Sequence, residues 1–577
     1  MKFLYLNKSK LLLAFFLLFG FVLRNHSIDK FGIAGDEKYS LFVSQFTSYQ
    51  GNNQKNSVRK PNSDYFTAKE FWSEKGIEGF YDAIARVDTG NGAFFTYGLH
   101  WWTKFFGLSD KSLRFLPLLF SLGIVLLIYF FVKEHFENEN LALITAGFSA
   151  ISPLLISYAQ IARNYALLFF FALLATHYFL KLLTTVFNSK KWWLYLIIYG
   201  ITAAICELNH LSTFPLFFIH FIFLFIYHRT WKNFWSFSIA MIFPFIAIVA
   251  WVLSPGGAYI LEYVSNSVRV YNEMAASSPY EFLSKTSFVT VILQIRHVLA
   301  AYFINFDGTY DLITGKKNGV VGIAFTCIGA LVYSIKKLNS TLKLAIGLFL
   351  FAAAILLTKS GAIASITLGL HLLFFSKGLF SLLKDFKKKP ILHFILLLTV
   401  IPLIFLVLYA IQDDNTFRIV TRYVGYSYAF ALILVLLVYW NLFSQLEDYT
   451  PWLYVACAMQ VGIISMNVFH IYEDTQPRYY SDYPEPRIQN PYPQIANKII
   501  NLAMPGDTIV YPSDALIHDD RIQEKSVLDA QLVNFYLPKT NEIPQRVDAI
   551  ENDKVYLIKI DGSKIELFDF KGTKYRF

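Results

Sequence analysis

Phe31–Phe42 reads FGIAGDEKYSLF, and it follows an apolar segment, Leu11 to Leu23, by about a dozen residues. If that segment crosses a bilayer, Asp36 and Glu37 emerge just beyond the membrane face and open a long polar loop, Ser27 to about Gly92. An acidic pair held at a membrane surface suits a catalytic base. It also suits ordinary loop polarity, so the rest of the chain has to decide.

The chain has 577 residues, of which 55% are hydrophobic, 18% aromatic and 16% charged. A soluble protein carries about 25% charged residues. That deficit and the long apolar runs indicate an α-helical polytopic membrane protein. The net charge of +10 fits lysines and arginines gathered in cytoplasmic loops better than a nucleic-acid surface, because no basic stripe occurs in a soluble segment. Cys206, Cys327 and Cys457 all fall in apolar segments and read as packing residues, not as a disulfide framework or a metal set. The first residues have the basic and apolar parts of a signal peptide without a small-residue cleavage site, and read as a retained first helix.

Working outward, apolar stretches fall at about 11–23, 113–132, 141–157, 165–186, 192–206, 211–227, 234–253, 319–335, 342–358, 361–381, 391–410, 424–443 and 451–469, giving about 13 transmembrane helices. Basic clusters such as Lys8 and Lys10, Lys190 and Lys191, Arg229 and Lys232, and Lys387 to Lys389 share one side, with Lys359 as the poor fit. That side is cytoplasmic, so the N-terminus is inside and the C-terminus outside. The outer face then receives loop 24–112, the break at 158–164, loop 254–318, segment 411–423 and the tail 470–577. Residues 64–87 and 94–106 read as helices lying along the membrane surface. In the tail, 494–503 reads as a helix, and Thr508–Tyr511, Lys554–Ile560 and Ile565–Phe570 read as strands of a small α/β domain. The domains are therefore a membrane unit, 1–469, and an outer unit, 470–577.

Four polar sets meet on the outer face. They are Asp36-Glu37 with Tyr39; Tyr158 to Tyr165 with Arg163; Asp413 to Tyr423 with Arg418 and Arg422; and Glu207-Leu208-Asn209-His210. A carboxylate can deprotonate an acceptor hydroxyl, and its neighbour can orient the acceptor or bind a cation. Arginines on the outer side run against the positive-inside bias and ask for an anionic partner such as phosphate. Each set also has a plain reading: solvated charges, a snorkelling arginine, a salt-bridged loop, a structural histidine. His100, beside Trp101 and Trp102, reads as interfacial. No P-loop, G-x-S-x-G or H-E-x-x-H motif occurs, and no His and Cys residues stand at metal-ligand spacing. No predicted span carries charges along its length, which argues against a pump or channel.

The layout resembles the membrane glycosyltransferases of the GT-C fold, in particular the protein O-mannosyltransferases and the lipid A aminoarabinose transferases, of glycosyltransferase family 39 or 83 type. Asp36-Glu37 with Tyr39 resembles the family's acidic motif in the first outer loop. Asn91 to Tyr97 stands where members have H-P-P-L-Y-Y, and Ser109 to Pro117 (SDKSLRFLP) is similar to S-E-x-x-x-R-L-P. Ser152-Pro153 with Tyr158 to Tyr165, Asn209-His210, Arg422-Tyr423 and Pro505-Gly506-Asp507 resemble further family signatures. Asn91-Gly92-Ala93 lacks the family's His or Lys and both prolines. Asn164 replaces a proline, and Tyr165 stands where aminoarabinose transferases have an acid, which argues against their substrate.

The resemblance implies transfer of a sugar from a polyprenyl-phosphate donor to a hydroxyl acceptor, whether lipid, glycan or protein, outside a bacterial cytoplasmic membrane and with inversion. It casts Asp36 as general base and Glu37 as its adjuster or the acceptor's positioner. Arg163 and Arg422, with Tyr165 or Arg418, would bind the donor phosphate. Tyr39, Asn91, His100 and His210 are secondary candidates. No cofactor is firmly implied; a divalent cation, if used, would fall to Asp36 and Glu37. An O-antigen ligase or polymerase, or a glycolipid transporter, is the alternative.

Overall fold

The computed structural model describes residues 2–33, 35–47, 67–72, 76–87, 91–258, 260–277, 283–303, 338–358, 362–384, 389–444, 450–474, 488–512, 528–548 and 553–571, with short pieces between 321 and 335. Among the described residues six helices are long and apolar enough to cross a membrane: Asp110–Phe136, Tyr165–Thr184, Lys190–Asn209, Trp231–Val252, Pro390–Asp413 and Thr421–Phe443. A bent pair, Glu139–Ile151 with Pro153–Ala159, makes a seventh. Helices Lys2–Asn25, Ser340–Thr358, Ala362–Lys384 and Thr450–Glu473 cover four more of the expected stretches. The expected span at 319–335 is described only in short pieces, helical at 324–329 and 331–332.

The bend has an identifiable cause. Pro153 has no N–H to give and its ring crowds the carbonyl one turn back, so the helix stops at Ile151 and restarts at 54°. Ser152 caps the new helix, accepting a hydrogen bond from the Leu155 amide. The stop leaves carbonyls without helical partners. Arg24 collects them: its guanidinium donates to Ala150 O at 2.7 Å, Ser149 O at 3.1 Å and Gly20 O at 3.0 Å, and to Ser121 Oγ at 2.8 Å. The expected single span 141–157 is thus two helices, and the second points the 158–165 turn toward the first outer loop.

That loop departs from the sequence reading. Asp36 and Glu37 sit not in a coil but in the first turn of a helix, Gly35–Ser44, where carboxylates suit the positive end of the helix dipole. Helices Ala68–Phe71, Ile77–Val87 and Ala93–Phe106 follow, matching the helical character expected for 64–87 and 94–106. Loop 254–318 also holds helices, Ile260–Ser277 and Phe288–Phe303. The second buries Val298, Ala301 and Tyr302 in the bundle core. Both its ends are fastened to one connection: Thr286 Oγ1 donates to Ala410 O at 2.7 Å, and Ser427 Oγ donates to Tyr302 Oη at 3.3 Å.

The tail forms a four-stranded sheet of β1 (Thr508–Pro512), β2 (Gln545–Asp548), β3 (Lys554–Ile558) and β4 (Lys564–Asp569), in the order β2-β1-β3-β4. Only the β1–β2 pairing is parallel. The Tyr492–Leu502 helix packs on it, as does Leu528–Asn534, which the sequence reading did not find. A second core joins this sheet to the helices between residues 35 and 106, with Phe42, Phe71 and Leu41 against Phe535, Ile495 and Leu557. Backbone bonds fasten the seam: Gly32 N to Ile488 O at 2.8 Å and Lys69 N to Asn541 O at 3.0 Å.

Asp507, in the turn before β1, is buried and accepts from Lys559 Nζ at 2.6 Å and from the Met504 and Ile560 amides. Burial pushes its carboxyl up, but these donors together hold it below the usual carboxylate range. A depressed carboxylate lends stability above its unfolded pKa of about 3.9, and that stability is lost as pH falls through the folded value. Amide exchange at β1 and β3, corrected for intrinsic rates, is therefore expected to be flat from pH 7 to about 5 and to accelerate below about pH 4. Asp507→Asn should show the faster exchange at neutral pH with less acid dependence.

Candidate active site

The site begins with a buried ion pair. Glu37 and Arg114 have side-chain exposures of 0% and 2%. Arg114 Nε and Nη2 donate to the two carboxylate oxygens at 2.7 and 2.8 Å, the fork geometry that arginine is built for. The same guanidinium takes the carbonyls of Ile28, Phe31 and Gly32, and Glu37 Oε1 also accepts from the Ala162 amide at 2.8 Å. Three distant segments are welded at one point. Glu37 thus faces Arg114 and Ala162. Arg114, quoted in the SDKSLRFLP stretch but given no role there, is the residue that sequence reasoning missed.

On either side of the weld stand Asp36 and Arg163. Asp36 is 36% exposed, and Arg422 Nη1 donates to its Oδ2 at 3.2 Å. Arg163 Nη1 donates to Asp36 O at 3.2 Å and to Ser40 Oγ at 3.4 Å. One carboxylate and two guanidiniums thus converge from residues 36, 163 and 422. Among the described residues Asp36 Oδ1 makes no hydrogen bond, so one oxygen is left for an incoming hydroxyl.

Two contacts pin the 421–428 segment to the bent pair and a third pins it to the Tyr165–Thr184 helix. Tyr158 Oη and Thr421 Oγ1 are 3.0 Å apart, and Ser152 Oγ and Tyr428 Oη 2.8 Å. Gly425 lies so close to the Phe169 ring that a Cβ there would fall 2.0 Å from Cζ. Tyr165 is buried with its ring edge-on to Tyr158, at 5.4 Å. Arg418 is engaged by Asp413 Oδ2 at 2.5 Å and faces the Tyr409 ring.

His210 joins the cluster from the end of the Lys190–Asn209 helix. Its Nδ1 accepts from the Ser212 amide at 3.2 Å and its ring packs on Tyr423 at 5.2 Å. Burial pushes its imidazole down to about 3, and Arg422, Arg163 and Arg418 push the same way. His210 is therefore neutral near pH 7, with Nε2–H as its donor. Asn209 beside it holds the start of the Ala93–Phe106 helix: its Oδ1 accepts from Phe95 N at 3.1 Å, and its carbonyl accepts from Gly92 N at 3.2 Å and Asn164 Nδ2 at 2.7 Å. Gly92 adopts φ +68, which only glycine takes readily, so the N-G dipeptide at Asn91-Gly92 is a backbone device. Tyr39 is half-buried and packs against the second core. His100 donates from Nδ1 to Ser44 O at 2.6 Å and stacks on Phe46 at 4.0 Å; burial lowers its pKa. It packs helix on helix and belongs to no charged cluster.

For a cation, Asp36 and Glu37 do not form a paired cradle, since Arg114 and the Ala162 amide occupy Glu37. Among the described residues no three His, Cys, Asp or Glu side chains stand together as a metal site.

Residues 89–267 match the family of dolichyl-phosphate-mannose-protein mannosyltransferases. The matched stretch holds Arg114, Arg163, Tyr165 and His210, and it bears out the resemblance to GT-C membrane glycosyltransferases. Solved structures of similar shape include the apo oligosaccharyltransferase of Archaeoglobus fulgidus, at 13% identity and TM-score 0.45 over 93% of this chain and 61% of that one. The archaeal enzyme in complex with an inhibitory peptide and a dolichol-phosphate aligns at 13% identity and TM-score 0.41, again over 93% and 61%. ArnT from Cupriavidus metallidurans in the apo state aligns at 12% identity and TM-score 0.40, over 94% and 86%. The chain spans about three fifths of the archaeal protein's length. A comparison with curated proteins finds no match.

Removing one partner of a buried pair leaves the other charge unsatisfied, at about 3–5 kcal/mol. Arg114→Met should therefore lower the thermal midpoint of the purified protein sharply. Adding Glu37→Gln should restore part of that loss, since the stranded charge is gone. Equal midpoints for the single and double variants would show that the pair does not act as a unit.

Proposed function

We propose that the chain is an inverting glycosyltransferase that moves a hexosyl or pentosyl group from a polyprenyl-phosphate donor to a hydroxyl of a lipid, glycan or protein. The observation that carries this reading is the Asp36–Arg422 contact, with Arg163 on the same residue's carbonyl. It puts a half-open carboxylate beside two cations, the set required to accept one proton and receive one phosphate.

In this mechanism the donor phosphate lies on Arg422 and Arg163, with Arg418 and the Tyr165 hydroxyl nearby. The acceptor hydroxyl sits against Asp36 Oδ1, on the far face of the anomeric carbon. The acceptor oxygen attacks that carbon as its proton passes to Asp36. The carbon–oxygen bond to phosphate breaks, and polyprenyl phosphate leaves with the electron pair. Attack opposite the leaving group inverts the anomeric configuration. Arg422 orients the base and then neutralises charge growing on the phosphate. Arg114 and Glu37 act only by holding Asp36 and Arg163 in place.

The same reading takes the thirteen-span topology of a bacterial cytoplasmic membrane, with the N-terminus inside and the α/β unit 470–577 in the periplasm. The basic clusters on one side support it. The Ile260–Ser277 helix covers the site as a lid: Tyr271 stacks on Phe417 at 3.7 Å and Asn415 Nδ2 donates to Asn272 Oδ1 at 2.8 Å.

Sugar transfer by the purified chain, from short-chain polyprenyl-phosphate sugars to membrane-extract acceptors, tests the proposal. Asp36→Asn should lower kcat by about 10²–10⁴-fold with normal membrane insertion. Arg422→Gln should cost about 10²–10³-fold, through a charge that counts most in the transition state. Retained transfer by Asp36→Asn would remove that residue as the base.

A further inference from the structure

Arg422 is held differently from the other buried guanidiniums around it. Arg24 spends its N–H groups on three carbonyls and Ser121, and Arg114 spends its own on three carbonyls and Glu37. Among the described residues Arg422 makes one hydrogen bond, from Nη1 to Asp36 Oδ2. What flanks it otherwise is aromatic. Its guanidinium carbon lies 5.6 Å from the centre of the Phe417 ring and 5.4 Å from that of Tyr423. Both distances fall within the roughly 6 Å over which a ring face attracts a cation.

The Phe417 ring is itself fixed. Tyr271 stacks on it, with ring centres 3.7 Å apart and planes 18° apart. The Phe417 amide donates to Asn415 Oδ1 at 3.1 Å, and Asn415 Nδ2 donates to Asn272 Oδ1 at 2.8 Å. On the other side of this loop, Thr416 N donates to Ser284 O at 3.0 Å and Thr286 N to Asp414 O at 3.2 Å. Three segments, 271–272, 284–286 and 414–417, thus meet around one ring. A ring face holds a cation without using its N–H donors, whereas a carbonyl or carboxylate takes donors that a phosphate needs. It also confines a long side chain before the ligand arrives, so less freedom is lost on binding.

We propose that Phe417 is a positioning residue for the phosphate site. Its ring holds the Arg422 guanidinium where one N–H group reaches Asp36 and the rest stay available, and Tyr271 holds that ring from the Ile260–Ser277 helix. The inference rests on the reading of Arg422 as the cation for a lipid-linked phosphate, and adds what sets the position of that cation. Neither ring takes part in the reaction; both act through Arg422.

The test uses the full chain in lipid nanodiscs and measures binding of a short-chain polyprenyl monophosphate by calorimetry at fixed ionic strength. Arg422→Gln should weaken binding by about tenfold or more. Phe417→Leu should weaken it by about five- to thirtyfold, the worth of a ring face beside a partly buried cation. Phe417→Tyr and Phe417→Trp keep a ring and should bind within about twofold of the parent. Tyr271→Leu should act in the same direction by less. Added to Arg422→Gln, Phe417→Leu should cost nothing further, because no cation is left for the ring to hold. A ring that only fills space would show the opposite order, with leucine tolerated, tryptophan disruptive and the leucine effect unchanged by Arg422→Gln. That pattern in folded variants overturns this inference and leaves the transferase reading standing. Should Phe417→Leu not fold, Phe417→Met alone and with Arg422→Gln makes the same comparison. Undiminished binding by Arg422→Gln, or no binding by the unaltered chain, overturns both readings.

Discussion

The site depends on a pair that the proposed chemistry never touches. Glu37 and Arg114 are nearly removed from water, and neither is tolerable there without the other. Their mutual bonds, with those to three carbonyls and one amide, fix the relation of residues 28–37, 114 and 162. Asp36 is one residue from the weld and Arg163 one residue from its far side. A buried charge pair is poor as a source of stability but strict about geometry, because its low-dielectric bonds lose much when bent.

Beyond the weld, the architecture converts a helix break into a location. Pro153 stops one helix, Arg24 takes the stranded carbonyls, and the restarted helix delivers residues 158–165 to the loop carrying Asp36. The 421–428 segment then docks on this short helix and its Ser152 cap through two hydroxyl pairs, and on the Tyr165–Thr184 helix through a glycine pressed on Phe169. Asp36 and Arg422 therefore meet from parts of the chain 386 residues apart, with Arg163 on the same residue's carbonyl. Arg24 and Arg114 use the same device, a guanidinium spread over backbone carbonyls, at two levels of the molecule.

Much of this was legible in the sequence, and what was not has physical causes. The sidedness of charge put Asp36, Arg163 and Arg422 on one face without showing that they meet, while apolar helices on many of the expected stretches and the strands around Gly506 and Gly562 follow from composition and turn chemistry. The helical setting of Asp36 did not, since GDEKYSLFVS has no strong helical pattern and its helix is held by tertiary contacts. Neither did the contrast between Asp36 and Glu37: two adjacent carboxylates read alike, and only Arg114, 77 residues on, separates them. His100 and His210 likewise look equivalent, but one packs on Phe46 and the other among arginines. Phe288–Phe303 falls within the expected loop 254–318, yet its apolar face belongs to the bundle core.

The core shared by the first outer loop and the terminal sheet bears on how the protein is made. Phe42 and Phe71 leave the ribosome hundreds of residues before Ile495, Phe535 and Leu557, which cover them in the finished fold. Domains assemble in order of synthesis, and pairings distant in sequence close last. The first loop therefore keeps its apolar face uncovered until those later residues are made. The helix bearing Asp36 gains its full packing only once Ile495, Phe535 and Leu557 are in place. A nascent protein thus lacks this packing until the terminal sheet has been made.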